Sequence, residues 1–433
     1  MEHKVYFEMG DSITDKVFEA TWNSLEAAVK IVPIQSEKAN IEIKAYQHLN
    51  DVPRVVRCFD HLKDENHHYI FLQRAKCNLR ELINACKKKG VFDHQNENCR
   101  DFLKKASKDY RLWHTPDRHE KIRVKGAPDQ QSASPDLLTL IRDIIDGVTD
   151  LQKKKIRHEN LTPDNILIFE EINEPPYKNR LRAKISNLGS SSPSSDNLVL
   201  DTSTAGWRTP EEIKQKLTDE KSDLFGLGLV ICFCLTASHA FGNDENVRHN
   251  IMDTSVTSRL SPVDKDFITG LLKALPDDRS VASSLLLHPT FWDDTTKAWF
   301  IWEINDLLHR LDWAEFNQFN LKKQLIFNGY QKWDCFIDHE VLMCYTKDFK
   351  NDYNEYSLQS LVKMFRNICA HLNEYEALGL CVSTRGKIFV GKSKASVYRS
   401  LIEYRFPRLL IEAYNHVKLH RQTDEPFEWL FPK

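Results

Sequence analysis

The sequence has no C-x-x-C pair and no His/Cys group at the spacing of a zinc site, so a structural zinc is not expected. Its ten cysteines are scattered, and Cys232 and Cys234 stand in apolar surroundings, as reduced core thiols do. The N-terminus shows no basic stretch followed by an apolar core, so no secretory signal is expected. The most apolar run, Leu224–Ala237, is shorter than the ~18–20 residues a spanning helix needs and reads as a buried core helix. A charge excess is missing as well. Lys+Arg 60 against Asp+Glu 62 gives a net charge of −2, which excludes a protein that coats nucleic acid by bulk basicity but admits one that engages RNA locally. These absences together predict a cytoplasmic protein with no membrane partner and no DNA partner.

What is present is a soluble, globular composition over 433 residues, 41% hydrophobic and 28% charged, enough for two or three domains. Alternating runs at residues 5–9, 16–22 and 26–32 predict strands of an antiparallel sheet, and residues 39–49 predict a helix. Lys30 stands inside the apolar run AAVKIV, where a charge needs a partner, and Glu42 on the following helix can supply it. Two further strands are expected within 53–75 and a helix at 78–86, then a polar, lysine-rich insertion at 87–135 containing one helix. Residues 137–151 are amphipathic at helical period.

Five segments then fall in a telling order. IRHENLTPDNILIF at 156–169 resembles the protein kinase catalytic loop, with His158 at the motif histidine and Asn165 at the metal-binding asparagine. KISNLGS at 184–190 resembles the D-F-G segment and AGWRTPEE at 205–212 the A-P-E segment. Asp223 matches the aspartate of the central helix, and Arg279 within DDRSVASSLLLHPTFW matches the arginine near the domain end. The resemblance implies a two-lobed kinase-like domain at 1–292, with an N-lobe at about 1–75 and a C-lobe at about 76–292. Its chemistry is altered. Asn160 replaces the catalytic aspartate, Thr162 the lysine two residues on, and Asn187 the metal-binding aspartate. An amide cannot accept the substrate proton at neutral pH and is a poor ligand for Mg2+. The phosphate-covering loop keeps only Gly10, with Ser12 and Asp15 where glycines are expected. A pseudokinase is therefore expected. Lys30, Glu42, Asn165 and Asn187 are the candidate nucleotide-binding residues, and the Lys30–Glu42 pair either contacts the phosphates of ATP or ADP or simply joins the lobes.

The chain continues past Trp292 without a Pro-, Gly- or Ser-rich linker, so a second domain fused rigidly to the first is expected. Within it, Leu358, Leu361, Val362, Phe365, Cys369 and Leu372 recur at helical spacing and predict one buried stripe. Asn367 and His371 lie one turn apart on the opposite face, with Arg366 on the flank. A cation, an amide and an imidazole on an open helix face suit a phosphodiester, although a polar solvated face is the commoner outcome.

The combination of a kinase-like domain with R-N-x-x-x-H at 366–371, KWD at 332–334, Tyr353 thirteen residues before Arg366 and RFP-x-L-L at 405–410 on a later helix expected over 397–418 resembles the kinase-extension-nuclease (KEN) family, which includes ribonuclease L and the inositol-requiring kinase/endoribonucleases. That resemblance implies an α+β architecture: a two-lobed protein-kinase-like fold followed by an all-α KEN ribonuclease domain at 293–433, its core at about 293–421. It also implies RNA as substrate, a homodimer, and cleavage by transesterification to a 2′,3′-cyclic phosphate with no metal needed. His371 would protonate the leaving 5′-oxygen, Tyr353 would help activate the 2′-hydroxyl, Arg366 would stabilise the phosphorane and Asn367 would orient substrate or catalytic groups. Tyr353 could instead be a loop aromatic packed on the helix, and Arg366 could pair with Glu374 or with an acid from elsewhere. Ser360 stands where ribonuclease L has an acidic residue, and RGKIFVGKSK at 385–394 reads as a basic loop that touches RNA or is plain solvated surface. The competing function is a nucleotide-sensing or scaffolding pseudokinase with an inactive nuclease module; an active kinase is disfavoured by Asn160 and Asn187.

Overall fold

The computed structural model describes every residue except 1–7, 15, 88–93, 115–131, 174–178, 194–205, 216–217, 312, 321, 338–341, 343–352, 373–392 and 432–433. Asp15, Glu374 and most of the basic loop at 385–394 therefore lie outside the described residues. The chain divides into two compact units, the first built from Met1–His114, Gln131–Arg259 and Ile268–Leu285, the second holding Leu260–Phe267 and Leu286–Lys433. No helix among the described residues is long and apolar enough to cross a membrane.

The first unit opens with strands β1 (Glu8–Thr14), β2 (Val17–Trp22), β3 (Leu25–Pro33), β4 (Cys58–Lys63) and β5 (His67–Gln73), joined in one antiparallel sheet of order β1-β2-β3-β5-β4. Alternation in β3 places Ala27 and Val29 in the core with Trp22 and Phe71, and Lys30 is registered against Ile70 of β5. Helix α1 (Glu37–Leu49) starts at Ser36, whose hydroxyl accepts the N–H of Ala39, and buries Glu42, Ile43 and Tyr46.

The rest of the first unit is mainly helical. Helices α2 (Leu79–Lys87), α3 (Glu97–Asp109) and α4 (Pro135–Lys153) each bury one apolar stripe. α3 is the helix expected within the insertion. Strands β6 (Cys77–Asn78), β7 (Ile166–Glu171) and β8 (Arg180–Ile185) form a small sheet of order β8-β7-β6. Helix α5 (Ser222–Thr236) is buried along its whole length, as its apolar sequence requires. Gly228 is needed there, because a Cβ would meet Leu271 Cβ and Leu272 Cδ2 at 2.9 Å. Arg279, fully buried, donates two parallel bonds to Glu211, 2.8 and 2.6 Å long. This bidentate geometry selects Glu211 as the acid of the A-P-E-like segment.

The second unit is helical among its described residues. Helix α6 (Asp294–Arg310) is capped by Asp293, and helix α7 (Leu358–Ala370) by Ser357. α7 buries Leu358, Leu361, Val362, Met364, Phe365, Ile368 and Cys369, so the stripe is wider than expected and Leu372 lies only at its edge. The single helix expected over 397–418 is in fact two segments. A helical stretch over Lys394–Glu403 and helix α8 (Leu409–His420) flank a break at 404–408. Pro407 lacks an N–H and disfavours a helical residue before it, which accounts for the break. Arg405 beside it is buried and donates to the Phe336 carbonyl at 2.8 Å.

On α8, His416 packs against Phe319 with ring centroids 5.1 Å apart, and its Nε2 has no hydrogen-bond partner among the described residues. Burial, with His420 nearby, lowers its pKa to about 4, against ~6.5 in an unfolded chain. Between those values the folded state holds fewer protons than the unfolded state, so its stability falls as pH drops through the window. Thermal unfolding of wild type and His416→Gln at about pH 7 and about pH 5 should show the wild type losing more of its melting temperature than the variant. An equal loss would mean that His416 does not carry the effect.

Candidate functional site

In the first unit, β3 and α1 bring Lys30 and Glu42 together. Lys30 Nζ donates to Glu42 Oε2 at 2.7 Å, with the carboxylate almost wholly buried. The same ammonium donates to Asn187 Oδ1 at 3.0 Å. Asn187 lies just past β8 with φ 62° and ψ 60°, a left-handed conformation that asparagine tolerates. Its Nδ2 donates to Asn165 Oδ1 at 2.9 Å, and Asn165 Nδ2 donates to the Asn160 carbonyl at 2.7 Å. All four candidate cofactor residues therefore stand in one continuous chain of hydrogen bonds.

The loop around them is held from behind. Asp223 accepts the backbone N–H groups of His158 and Glu159 at 2.6 and 3.0 Å. His158 Nδ1 accepts the N–H of Asn160 at 3.2 Å, so its Nε2 is the donor to the Ser186 carbonyl at 2.9 Å. The motif arginine position holds Glu159, which pairs with buried Arg157 at 3.0 Å and accepts from Ser192. The loop architecture is thus retained while its two catalytic acids are amides.

In the second unit, α7 presents Arg366 and Asn367 half-buried at the edge of its stripe. His371 is the residue that closes the helix, its N–H bonded to the Asn367 carbonyl at 3.1 Å. Asn367 Nδ2 donates to Tyr353 Oη at 2.9 Å. Burial pushes the Tyr353 phenol up, and the Asn367 bond opposes that by favouring the phenolate. Tyr353 also packs against the core of the unit, as a loop aromatic packed on the helix would.

The Tyr353 loop is fixed through the backbone of Asn354. Ser360 Oγ accepts its N–H at 3.1 Å, and the indole N–H of Trp333 donates to its carbonyl at 3.1 Å. Trp333 is fully buried, which makes the KWD tryptophan a support for this loop. Lys332 pairs with Glu355 at 3.0 Å. Where the sequence showed a missing acid, the structure shows a hydroxyl that holds the loop in place.

Arg366 has two neighbours on α6, an aromatic ring that the sequence does not announce and an acid from elsewhere in the chain. Trp302 on α6 lies 5.2 Å from the guanidinium and 4.1 Å from Lys394 Nζ, measured to its ring, within cation–π range. Asp306, one turn further along α6, approaches Arg366 Nε only to 3.8 Å. That Nε is buried without a hydrogen-bond acceptor among the described residues. A buried guanidinium N–H lacking an acceptor is rare and marks a place where an anion can dock.

A third cluster was also missed. Glu81 Oε1 and His94 Nε2 lie 3.1 Å apart, with Cys99 Sγ 3.8 Å from Glu81 Oε2. The sequence spacing of 81, 94 and 99 is not that of a zinc motif. Glu81 and Asn78 also cap α2 reciprocally at 2.9 Å, so this network is satisfied as a helix cap.

Comparison with known proteins agrees with both halves. The protein kinase domain family matches residues 6–291, and the ribonuclease 2-5A family matches residues 310–431. An inactive serine/threonine-protein kinase/endoribonuclease IRE1-like protein of Arabidopsis thaliana is 28% identical over 88% of this chain and 69% of its own length. The serine/threonine-protein kinase/endoribonuclease IRE1 of Oryza sativa is 26% identical over 96% of this chain, and IRE1a of Arabidopsis thaliana is 28% identical over 96%. The matched part is 43% and 48% of those two proteins, so the chain spans less than half of each.

Replacing Ser360 by alanine keeps its own N–H bonded to Ser357 and removes only the acceptor for Asn354. Hydrogen exchange at Asn354 should then speed up about tenfold, the effect of one lost hydrogen bond of ~1–1.5 kcal/mol. Unchanged exchange there would show that Trp333 alone holds the loop.

Proposed function

The chain belongs to the protein kinase family and carries a ribonuclease 2-5A domain, and from this premise we propose that it is an endoribonuclease governed by a pseudokinase domain. The observation that carries the reading is the second-unit cluster of Tyr353, Asn367, Arg366 and His371, which retains every residue type the chemistry needs. In the first unit, by contrast, Asn160 and Asn187 stand where a kinase needs acids.

The substrate is a loop or single-stranded RNA. Its phosphodiester docks on Arg366, whose buried Nε lacks an acceptor and whose fork of donors matches phosphate oxygens. The 2′-oxygen attacks phosphorus as its proton passes to the Tyr353 oxygen, which the Asn367 amide holds in place at 2.9 Å. His371 gives a proton to the departing 5′-oxygen. A P–O bond to the 2′-oxygen forms as the bond to the 5′-oxygen breaks, leaving a 2′,3′-cyclic phosphate and a 5′-hydroxyl. The guanidinium supplies the charge stabilisation, so no metal is called for. ATP or ADP occupies the kinase-like cleft, and two copies of the chain associate to form the active nuclease. The protein acts in the cytoplasm.

Incubating the full chain with a labelled stem-loop RNA in EDTA tests the reading. Cleavage should yield a 2′,3′-cyclic phosphate end and should fall at least about a hundredfold in His371→Ala or Arg366→Ala, the usual weight of one acid or one charge-stabilising donor. No cleavage at any protein concentration would leave the scaffold reading standing. The rate should rise more steeply than linearly with protein concentration, and strict proportionality would remove the dimer from the proposal.

A further inference from the structure

The protein kinase fold implies a divalent cation bound between the D-F-G aspartate and the catalytic-loop asparagine. Those positions here are Asn187 and Asn165, and the structure allows a test of whether they fit a metal. An amide offers a metal only its oxygen. Asn187 Oδ1 is held by Lys30 Nζ at 3.0 Å, and Asn165 Oδ1 is held by Asn187 Nδ2 at 2.9 Å. Both would-be ligand atoms are already accepting hydrogen bonds.

The amides cannot turn over to release them. Lys30 has donors and no acceptor, so rotating Asn187 would set an NH2 against an ammonium. With Asn187 fixed, its Nδ2 requires an oxygen from Asn165. That leaves Asn165 Nδ2 for the Asn160 carbonyl at 2.7 Å, where an oxygen would meet an oxygen. One ammonium thus sets the orientation of the whole row. Asn160 Oδ1 is the amide oxygen of this row that lacks a donor among the described residues, and one neutral oxygen is a poor site for a hard dication that demands octahedral geometry. Glu42, the carboxylate at this point, gives Oε2 to Lys30 at 2.7 Å; its buried Oε1 lacks a donor among the described residues, but one carboxylate oxygen beside an ammonium does not make an octahedral site. The residues do not fit Mg2+.

The same substitutions remove the need for the ion. In a kinase the metal offsets repulsion between the phosphates and the aspartate that holds it. With Asn160 and Asn187 neutral there is no such repulsion, and Lys30 has a third N–H beyond the two already donated. We infer that the kinase-like cleft binds a nucleoside di- or triphosphate without a divalent cation, the row from Lys30 through Asn187 and Asn165 to Asn160 standing where the metal would stand. This rests on the proposal that the cleft takes ATP or ADP at all.

The test is displacement of a fluorescent ATP analogue from the full chain by ATP, in EDTA and in millimolar Mg2+. The two dissociation constants should agree within about threefold, and Lys30→Met should abolish both signals. Asn187→Asp restores an acid beside Lys30. It should weaken binding in EDTA by about tenfold or more and recover it with Mg2+. Wild-type binding that appears only with Mg2+ would overturn the inference and leave nucleotide occupancy intact. Absence of binding under both conditions would overturn occupancy, and the inference with it.

Discussion

Arg366 and Asn367 of the second unit are placed by the burial of one helix face. Seven of the thirteen residues of α7 are buried, and sealing that many large side chains is worth on the order of 10 kcal/mol before entropy is charged against it. A helix held so firmly has one rotational setting, since a shift of one residue turns it by about 100° and would drive Arg366 or Asn367 into the core. Arg366 can keep an unpaired buried Nε because the apolar residues around it carry the stability. The cost of that one unsatisfied donor, roughly 1–3 kcal/mol, is small beside the burial that fixes it.

The two units show opposite uses of the same side-chain chemistry. Near Tyr353 an asparagine amide donates to a phenol oxygen and biases it toward the charged form. In the kinase-like cleft two asparagines, Asn187 and Asn165, spend their amides on each other, on a lysine and on the Asn160 backbone carbonyl. An amide is both donor and acceptor, so a row of them can close on itself where a row of carboxylates would repel. The first arrangement sets one amide donor against the burial that raises the Tyr353 phenol. The second ties Asn187 and Asn165 to each other and to Lys30.

Much of this could be read from residue order. Lys30 and Glu42 are legible because a charge inside an apolar strand must be met by an opposite charge close by. Arg366, Asn367 and His371 are legible because helical periodicity fixes their angular positions. Tyr353 is not reached by periodicity; only the family resemblance pointed to it, since it acts across a loop. The clamp on Asn354 leaves no trace in sequence, because backbone N–H and carbonyl groups are the same in every residue. Trp302 stands 64 positions before Arg366, a separation that only tertiary packing can close. The continuous helix expected over 397–418 failed for a local reason, since apolar spacing was followed through Pro407 although proline ends such a pattern.

The hydroxyl of Ser360 has a consequence beyond anchoring. An acidic residue at that turn would change its charge as the surroundings acidify, and the grip on the loop would change with it. A serine hydroxyl has a single state across the whole physiological range. The Ser360 grip on Asn354 is therefore blind to acidity, and acid loosens this loop through the neighbouring Lys332–Glu355 pair instead.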